Sequence, residues 1–283
     1  IVELGTRWEV TRTLLVGDEP RDIVITDPDA EGPTTPRAFV TTAHRGQHRT
    51  DPTLSSVPGA GDPQLTTPGV GRADVWVFDT AAPGETFGGT PLAIVELFGD
   101  TPRALAVSPG GETVYAAVFH SGNQTAVVPE GLVCDGFGTS PCSGDGVTSP
   151  GGLSNGRLPG GNPGPEVGLV VQFDPAEGIW KDEQGRNWSN GIRFDLPDLD
   201  VFEIDATDLG SQVSHAHVGT ILFNMAVNPV NGNVYVSNTD AQNLTRFEGP
   251  GTTGGSTVQG NLARSRVTVI TMPDAQVKPR HLN

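Results

Sequence analysis

The chain has 283 residues, 35% of them hydrophobic and 18% charged, with 38 Gly, 24 Pro and a formal net charge of −16. Gly and Pro spread between short apolar runs favour many short strands joined by turns, and no apolar run approaches the length of a membrane span. The acidic balance argues against nucleic acid, whose phosphates demand a basic patch, and against anionic membrane surfaces, while leaving attraction of cations such as Ca²⁺ open.

Ile1–Leu4 and Trp8–Val16 read as two strands of a unit begun before the first residue. Because the chain starts with Ile1 and not Met, processing or truncation is expected. Pro20–Thr26 then reads as an inner strand and Ala38–Ala43 as a second. After a polar, Pro-rich insertion from Gln47 to Arg72, Asp74–Thr80 is the expected third strand and Leu92–Phe98 the fourth. Arg103–Ser108 and Thr113–Phe119 open a second unit, joined by Pro109-Gly110-Gly111, which supplies the positive φ of a tight turn. The stretch from Pro129 to Val167 is low in apolar content and reads as a surface loop. Leu169–Asp174 (LVVQFD) resembles Val75–Asp79 and is the expected third strand of that unit. Further strand material, including VFEID, lies between Ile192 and Val218. Leu222 to Glu248 is a third unit with Asn231-Gly232 as its turn, and Arg266–Thr271 is its outer strand. Val277 to Asn283 restarts the pattern, with Pro279-Arg280 matching Pro20-Arg21 and Pro102-Arg103.

These units repeat. Ile23–Thr26, Leu105–Ser108 and Met225–Asn228 align as first strands, and Phe39, Tyr115 and Tyr235 align as the aromatic of the second; such repeats imply a stacked architecture. The pattern is strongest in NVYVSNTDAQN, while AFVTTAHRGQ and TVYAAVFHSGN depart at the tripeptide. It resembles the YVTN-type β-propeller repeat, which lactonase-like seven-bladed propellers also carry. The resemblance covers the three units and neither insertion. It implies an all-β fold: a β-propeller of four-stranded blades around a channel, with about three full blades and partial blades at both termini. The expected domain is a single one over residues 1–283, with loop insertions at about 47–72 and 129–167. Propellers have at least four blades. The ring is therefore expected to be completed by the missing remainder of the propeller or by other protein chains, or closed as four blades by pairing the termini.

In such a blade the start of the inner strand and the loop after the second strand share one face. Arg21, Arg103 and Arg280 would meet at the channel mouth with Asp240, as a ring for an anionic ligand; alternatively each Arg pairs with an Asp on the adjacent blade, tying the ring together, since Asp18, Asp100 and Asp274 each stand a few residues before a Pro-Arg. His44 and His120 hold one repeat position, His281 follows Arg280, and His215 and His217 alternate along a strand, so both imidazoles would point one way. Imidazoles from several blades around one channel are a ligand set for copper or zinc, against the reading that they bond loop backbone. Asp27, Asp29 and Glu31, and Asp195, Asp198 and Asp200, are candidate calcium ligands, although turn formation explains both clusters as well. Cys134 and Cys142 lie close together in a Gly-rich insertion and are expected to form a disulfide. That places the protein in an extracellular or periplasmic compartment.

No G-x-S-x-G, HExxH, Walker loop, CxxCH or GxGxxG is present. The leading expectation is a secreted or periplasmic scaffold that binds a ligand or other protein chains. The alternatives are a copper- or zinc-dependent redox enzyme and a lactonase-like hydrolase using the His- and Arg-rich face.

Overall fold

A computed structural model describes residues 1–4, 8–26, 33–44, 73–128, 132, 142–144, 147–150, 169–182, 185–192, 198–241 and 263–282; residues 2–4, 44, 73 and 142–144 are described by backbone alone. The strands, in chain order, are β1 (Val2–Leu4), β2 (Trp8–Val10), β3 (Asp18–Ile25), β4 (Arg37–His44), β5 (Ala73–Asp79), β6 (Ala93–Leu97), β7 (Asp100–Val107), β8 (Thr113–His120), β9 (Thr125–Val128), β10 (Cys142–Gly144), β11 (Val147–Ser149), β12 (Leu169–Asp174) and β13 (Ile179–Lys181). After a 3-10 turn at Ser189–Gly191 come β14 (Val201–Asp205), β15 (Gln212–His215), β16 (Ile221–Val227), β17 (Val234–Ala241), β18 (Ala263–Thr271) and β19 (Gln276–His281). The protein is all-β.

The chain divides into two compact units, Ile1–Ser121 with Leu199–Thr239 and Ser265–Asn283, and Gly122–Asp198 with Asp240–Arg264. The first is built on three antiparallel meanders of four strands. β3-β4-β5-β6 is the first, β7-β8-β14-β15 the second, and β16-β17-β18-β19 the third. A pairing of Ile221 with His120 joins the second and third into one curled sheet. In the second and third meanders the first two strands are linked by short connections. In the second, Gly111 takes φ +75°, and in the third Gly232 takes φ +71°, a region where a Cβ is strained.

Alternation in these strands places apolar side chains on both faces, so each meander must be covered twice. The first covers the second: Phe39, Val75, Val77, Val95 and Leu97 meet Leu105, Val114, Ala116, Val118, Phe202 and Ile204. The opposite face of the second, through Ala104, Ala106, Tyr115, Ala117 and Val201, meets Leu222, Met225, Val234, Val236 and Ile270 of the third. Polar ties add register. The Asp22 carboxylate accepts the N–H of Leu105 at 2.8 Å, and the Arg37 guanidinium donates to the carbonyls of Ala206 and Thr207.

The second unit has its own core of Ala126, Val128, Leu132, Leu169, Val171 and Trp188. Its sheet runs β13-β12-β9, and β10 and β11 form a separate hairpin. The indole N–H of buried Trp188 donates to Asp182 at 2.8 Å, which also accepts from Arg186 at 2.7 Å.

Four sequence expectations are corrected. Leu169–Asp174 is not the third strand of the second meander; that place belongs to β14, with Ile204 opposite Val114 and Val201 opposite Ala117. The stretch from Pro129 to Val167 is not wholly loop, since it supplies β10, β11 and buried Leu132. Pro279-Arg280 does not begin a new unit but lies in β19, the last strand of the third meander, paired with β18. The N-terminal strands are also shorter than expected: β2 ends at Val10, and β1 and β2 pair only with each other. The insertion from Gln47 to Arg72 lies outside the described residues.

Tyr115 lies inside the contact between the second and third meanders, and its phenol is pushed up from 10.0 to about 12, first by burial and then by the charges of Glu203 and Glu112. The folded value exceeds the unfolded one, so the neutral phenol's contribution is fully present below pH 10 and lost as pH rises through about 12. Ultraviolet phenolate titration should show one of the two tyrosines ionising only near pH 12. Tyr115→Phe should abolish that step and raise the pH of alkaline unfolding.

Candidate functional site

The first strands of the first two meanders begin with the same four-residue device, Asp18-Glu19-Pro20-Arg21 and Asp100-Thr101-Pro102-Arg103. The residue before each Pro has positive φ, +52° at Glu19 and +59° at Thr101, a costly conformation for a side chain with a Cβ. Proline has no N–H to give the ladder, and the register slips there, between Pro20 and Asp22 and between Pro102 and Ala104. The third meander slips at the equivalent place, between Leu222 and Asn224. Such bulges re-aim side chains, and in all three the residue inside the slip is exposed: Arg21, Arg103 and Phe223.

The two arginines differ in their partners. Arg21 forms an ion pair with Glu19. Arg103 instead lies over the Phe119 ring, 4.7 Å from its centroid, and no carboxylate pairs with it among the described residues. Phe119 packs edge-on against Phe223 at 5.9 Å and against His120 at 4.7 Å. His120 Nδ1 lies 3.3 Å from Asp100 Oδ2. The candidate site is this patch of Arg103, Phe119, Phe223, His120 and Asp100, drawn from β7, β8 and β16. It presents one unneutralised guanidinium beside two aromatic rings.

At the same end of the strands a buried network fixes the chain leading into β16. Asp200 accepts the N–H groups of Val218 at 2.6 Å and Gly219 at 3.0 Å and the hydroxyl of Ser121. From the other side, Arg266 and Thr268 each donate to the Val218 carbonyl at 2.8 Å. Arg266 also donates to Asn238 at 2.8 Å. The Val218–Gly219 peptide is thus held between an acceptor and two donors just before β16 begins.

The residues singled out from sequence are dispersed. Arg280 and His281 lie exposed on β19, opposite Val267 and Arg266, away from the strand starts that hold Arg21 and Arg103. Asp240 lies on β17 at the repeat position of His120 and His44, the last being opposite Asp18 in register. Among the described residues Asp100 meets His120, and Arg21 pairs with Glu19. β15 ends at His215, so His217, at φ +62°, does not continue its alternation. His215 is buried with Nε2 2.7 Å from Glu203 Oε1, whereas His217 is exposed. Among the described residues, no three His, Cys, Asp or Glu side chains are grouped to hold a metal ion. Asp200 is committed to backbone N–H groups, and Asp198 is half-buried just before it. Asp27, Asp29, Glu31, Asp195 and Cys134 lie outside the described residues, and Cys142 is described by its backbone in β10.

Sequence reasoning missed both aromatics of the patch. Phe223 was findable, since the repeat alignment puts it where the other units have arginine. Phe119 carries no sequence signal beyond closing the second strand of its unit.

Asp200→Ala should cost about 2–4 kcal/mol, because it strands buried donors at Ser121, Val218 and Gly219. Urea unfolding checks this, and a loss below about 0.5 kcal/mol, the size typical of an unremarkable surface change, would contradict the network's role.

No family model matches the chain, and no curated protein does. Among solved structures, the chain is similar to Kuenenia stuttgartiensis Hydrazine Synthase at 12% identity and a TM-score of 0.22, over 74% of this chain and 59% of that one. The chain thus spans less than two thirds of that structure's length.

Proposed function

We propose that the protein is a β-propeller scaffold of the YVTN-like kind that binds an anionic ligand at the mouth of its inner strands. The observation that carries this is Arg103. Its guanidinium is exposed, lies over Phe119 and has no carboxylate partner among the described residues, in a chain of net charge −16. Elsewhere acidic groups are plentiful; an arginine kept from them keeps its charge for something else. A guanidinium takes a carboxylate through paired N–H donors, and the exposed ring of Phe223 offers apolar contact to the body of the ligand. His120 and Asp100 supply hydrogen-bonding groups at the rim. An aromatic or otherwise planar carboxylate, free or at the end of a protein side chain, fits this chemistry.

The three stacked meanders support the propeller reading, as does the shared bulge at the start of each inner strand. Copper or zinc redox chemistry has no comparable observation in its favour, and neither has lactonase-like hydrolysis. Extracellular or periplasmic placement rests on Cys134 and Cys142 closing a disulfide.

Titration of the chain with benzoate, followed by NMR shifts of backbone amides in β7, β8 and β16, tests the proposal. Arg103→Ala should weaken binding about tenfold, the size expected for losing one charge-assisted contact. Benzoate that shifts no amide in these strands, or binds equally well after the substitution, would overturn it.

A further inference from the structure

The three meanders stack in one direction, and the repeat makes their faces comparable residue by residue. Each has a rear face, carrying Ile23, Leu105 or Met225, and a forward face, carrying Phe39, Tyr115 or Tyr235. The forward face of the first meets the rear face of the second, and the forward face of the second meets the rear face of the third. At equivalent positions Phe39 and Tyr115 are 0% and 2% exposed, but Tyr235 is 38% exposed. In the other direction Leu105 and Met225 are 4% and 9% exposed, but Ile23 is 58% exposed. The same side-chain types are covered wherever a neighbouring meander exists and bare at the two ends of the stack.

The bare rear face is apolar in its inner strands, and the bare forward face sets Ala226 and Tyr235 among the polar Asn224 and Ser237. Ile25 is exposed beside Ile23, while the outer part of that face is covered where Leu14, Leu15 and Val16 pack on Trp76 and Phe78. Ala226 is exposed opposite Tyr235, and Val267 and Val269 are only half-buried on the same face of β18. A polar detail is repeated too. Asp22 accepts the N–H of Ile23 through one oxygen and reaches Leu105 of the next meander through the other, both at 2.8 Å. Asn224, at the equivalent bulge position, accepts the N–H of Met225 in the same way at 2.8 Å.

We propose that these two faces bind each other between two copies of this chain, head to tail, the forward face of the third meander of each on the rear face of the first meander of the other. The interface continues one the chain makes twice within itself, and one copy carries both of its halves. Because the contact is heterologous, closure of the pair uses both faces of both copies and leaves none bare. Lys278 and Arg280 of β19 stand opposite Val269 and Val267, on the forward-face side. The proposal rests on the stacked sheets and stands whether or not Arg103 binds an anion.

The test is the solution mass of the 283-residue chain by light scattering after size exclusion, at near-physiological salt to screen repulsion between two acidic copies. The expected mass is twice 29.5 kDa. Tyr235→Arg and Ile23→Arg should each give a monomer with an unchanged far-ultraviolet dichroism spectrum, because both side chains are exposed. Mixing the two variants should restore the dimer mass, because one intact forward face then meets one intact rear face. Should either variant lose its strand spectrum, Ile25→Lys and Tyr235→Lys serve as the milder pair. A wild-type chain that stays monomeric up to about a hundred micromolar, a concentration far above the Kd typical of stable interfaces, would overturn the proposal. So would a dimer broken by only one of the two substitutions, or variants that fail to associate when mixed.

Discussion

Five consecutive residues of β8, Val114 to Val118, are buried. In a strand, neighbours point to opposite sides, so this one segment demands cover on both faces. Water can satisfy neither. The first meander supplies one cover through Phe39, Val75 and Val77, and the third supplies the other through Leu222, Met225 and Val236. The stacked order of the three sheets follows from that requirement, and so does the position of every strand start at which the candidate site is assembled.

The site inherits its geometry from a second constraint, the proline that opens the inner strands. Pro20 and Pro102 cannot donate to the ladder, and the register slips beside each. The slip exposes one side chain per meander at one end of the stack. Where that residue is Arg21, a neighbouring Glu19 neutralises it; where it is Arg103, Phe119 receives it. The third meander keeps the slip without the proline. There the buried clamp on Val218–Gly219, formed by Asp200, Arg266 and Thr268, holds the chain just before β16 begins. A structural network and a candidate binding surface thus share the same few residues of chain.

The first two strands of each repeat were legible because hydrophobic alternation and turn chemistry agree there. Gly111 and Gly232 have the positive φ expected of their turns, and Phe39, Tyr115 and Tyr235 do share one register position. The third strand of the second meander was misread for a physical reason. LVVQFD and VFEID each end in an Asp that caps the following turn, Asp174 on Ala176 and Glu177, Asp205 on Thr207 and Asp208. Asp79 does the same for Ala81 and Ala82 in β5. That local signal marks a strand end and is blind to which sheet the strand joins. Pro279 misled in a related way: β19 is an outermost strand, where proline is tolerated, so Pro-Arg there marks an edge and not a beginning. The pairing of His120 with Asp100 and the stacking of Arg103 on Phe119 depend on the bulge geometry, which the repeat pattern does not carry.

Assignment of β14 to the second meander is the step on which the stacking account turns. It is tested most directly by methyl–methyl nuclear Overhauser contacts in a deuterated protein with labelled Ile, Leu and Val methyls. Ile204 and Val114 stand directly opposite, where side chains lie about 4.5–5.5 Å apart at Cβ. The account predicts strong contacts between those two residues, and further contacts from Val114 and Leu105 to Val75 and Val77 across the sheets. Contacts from Val114 to Leu169 or Val171 in place of Ile204 would contradict it.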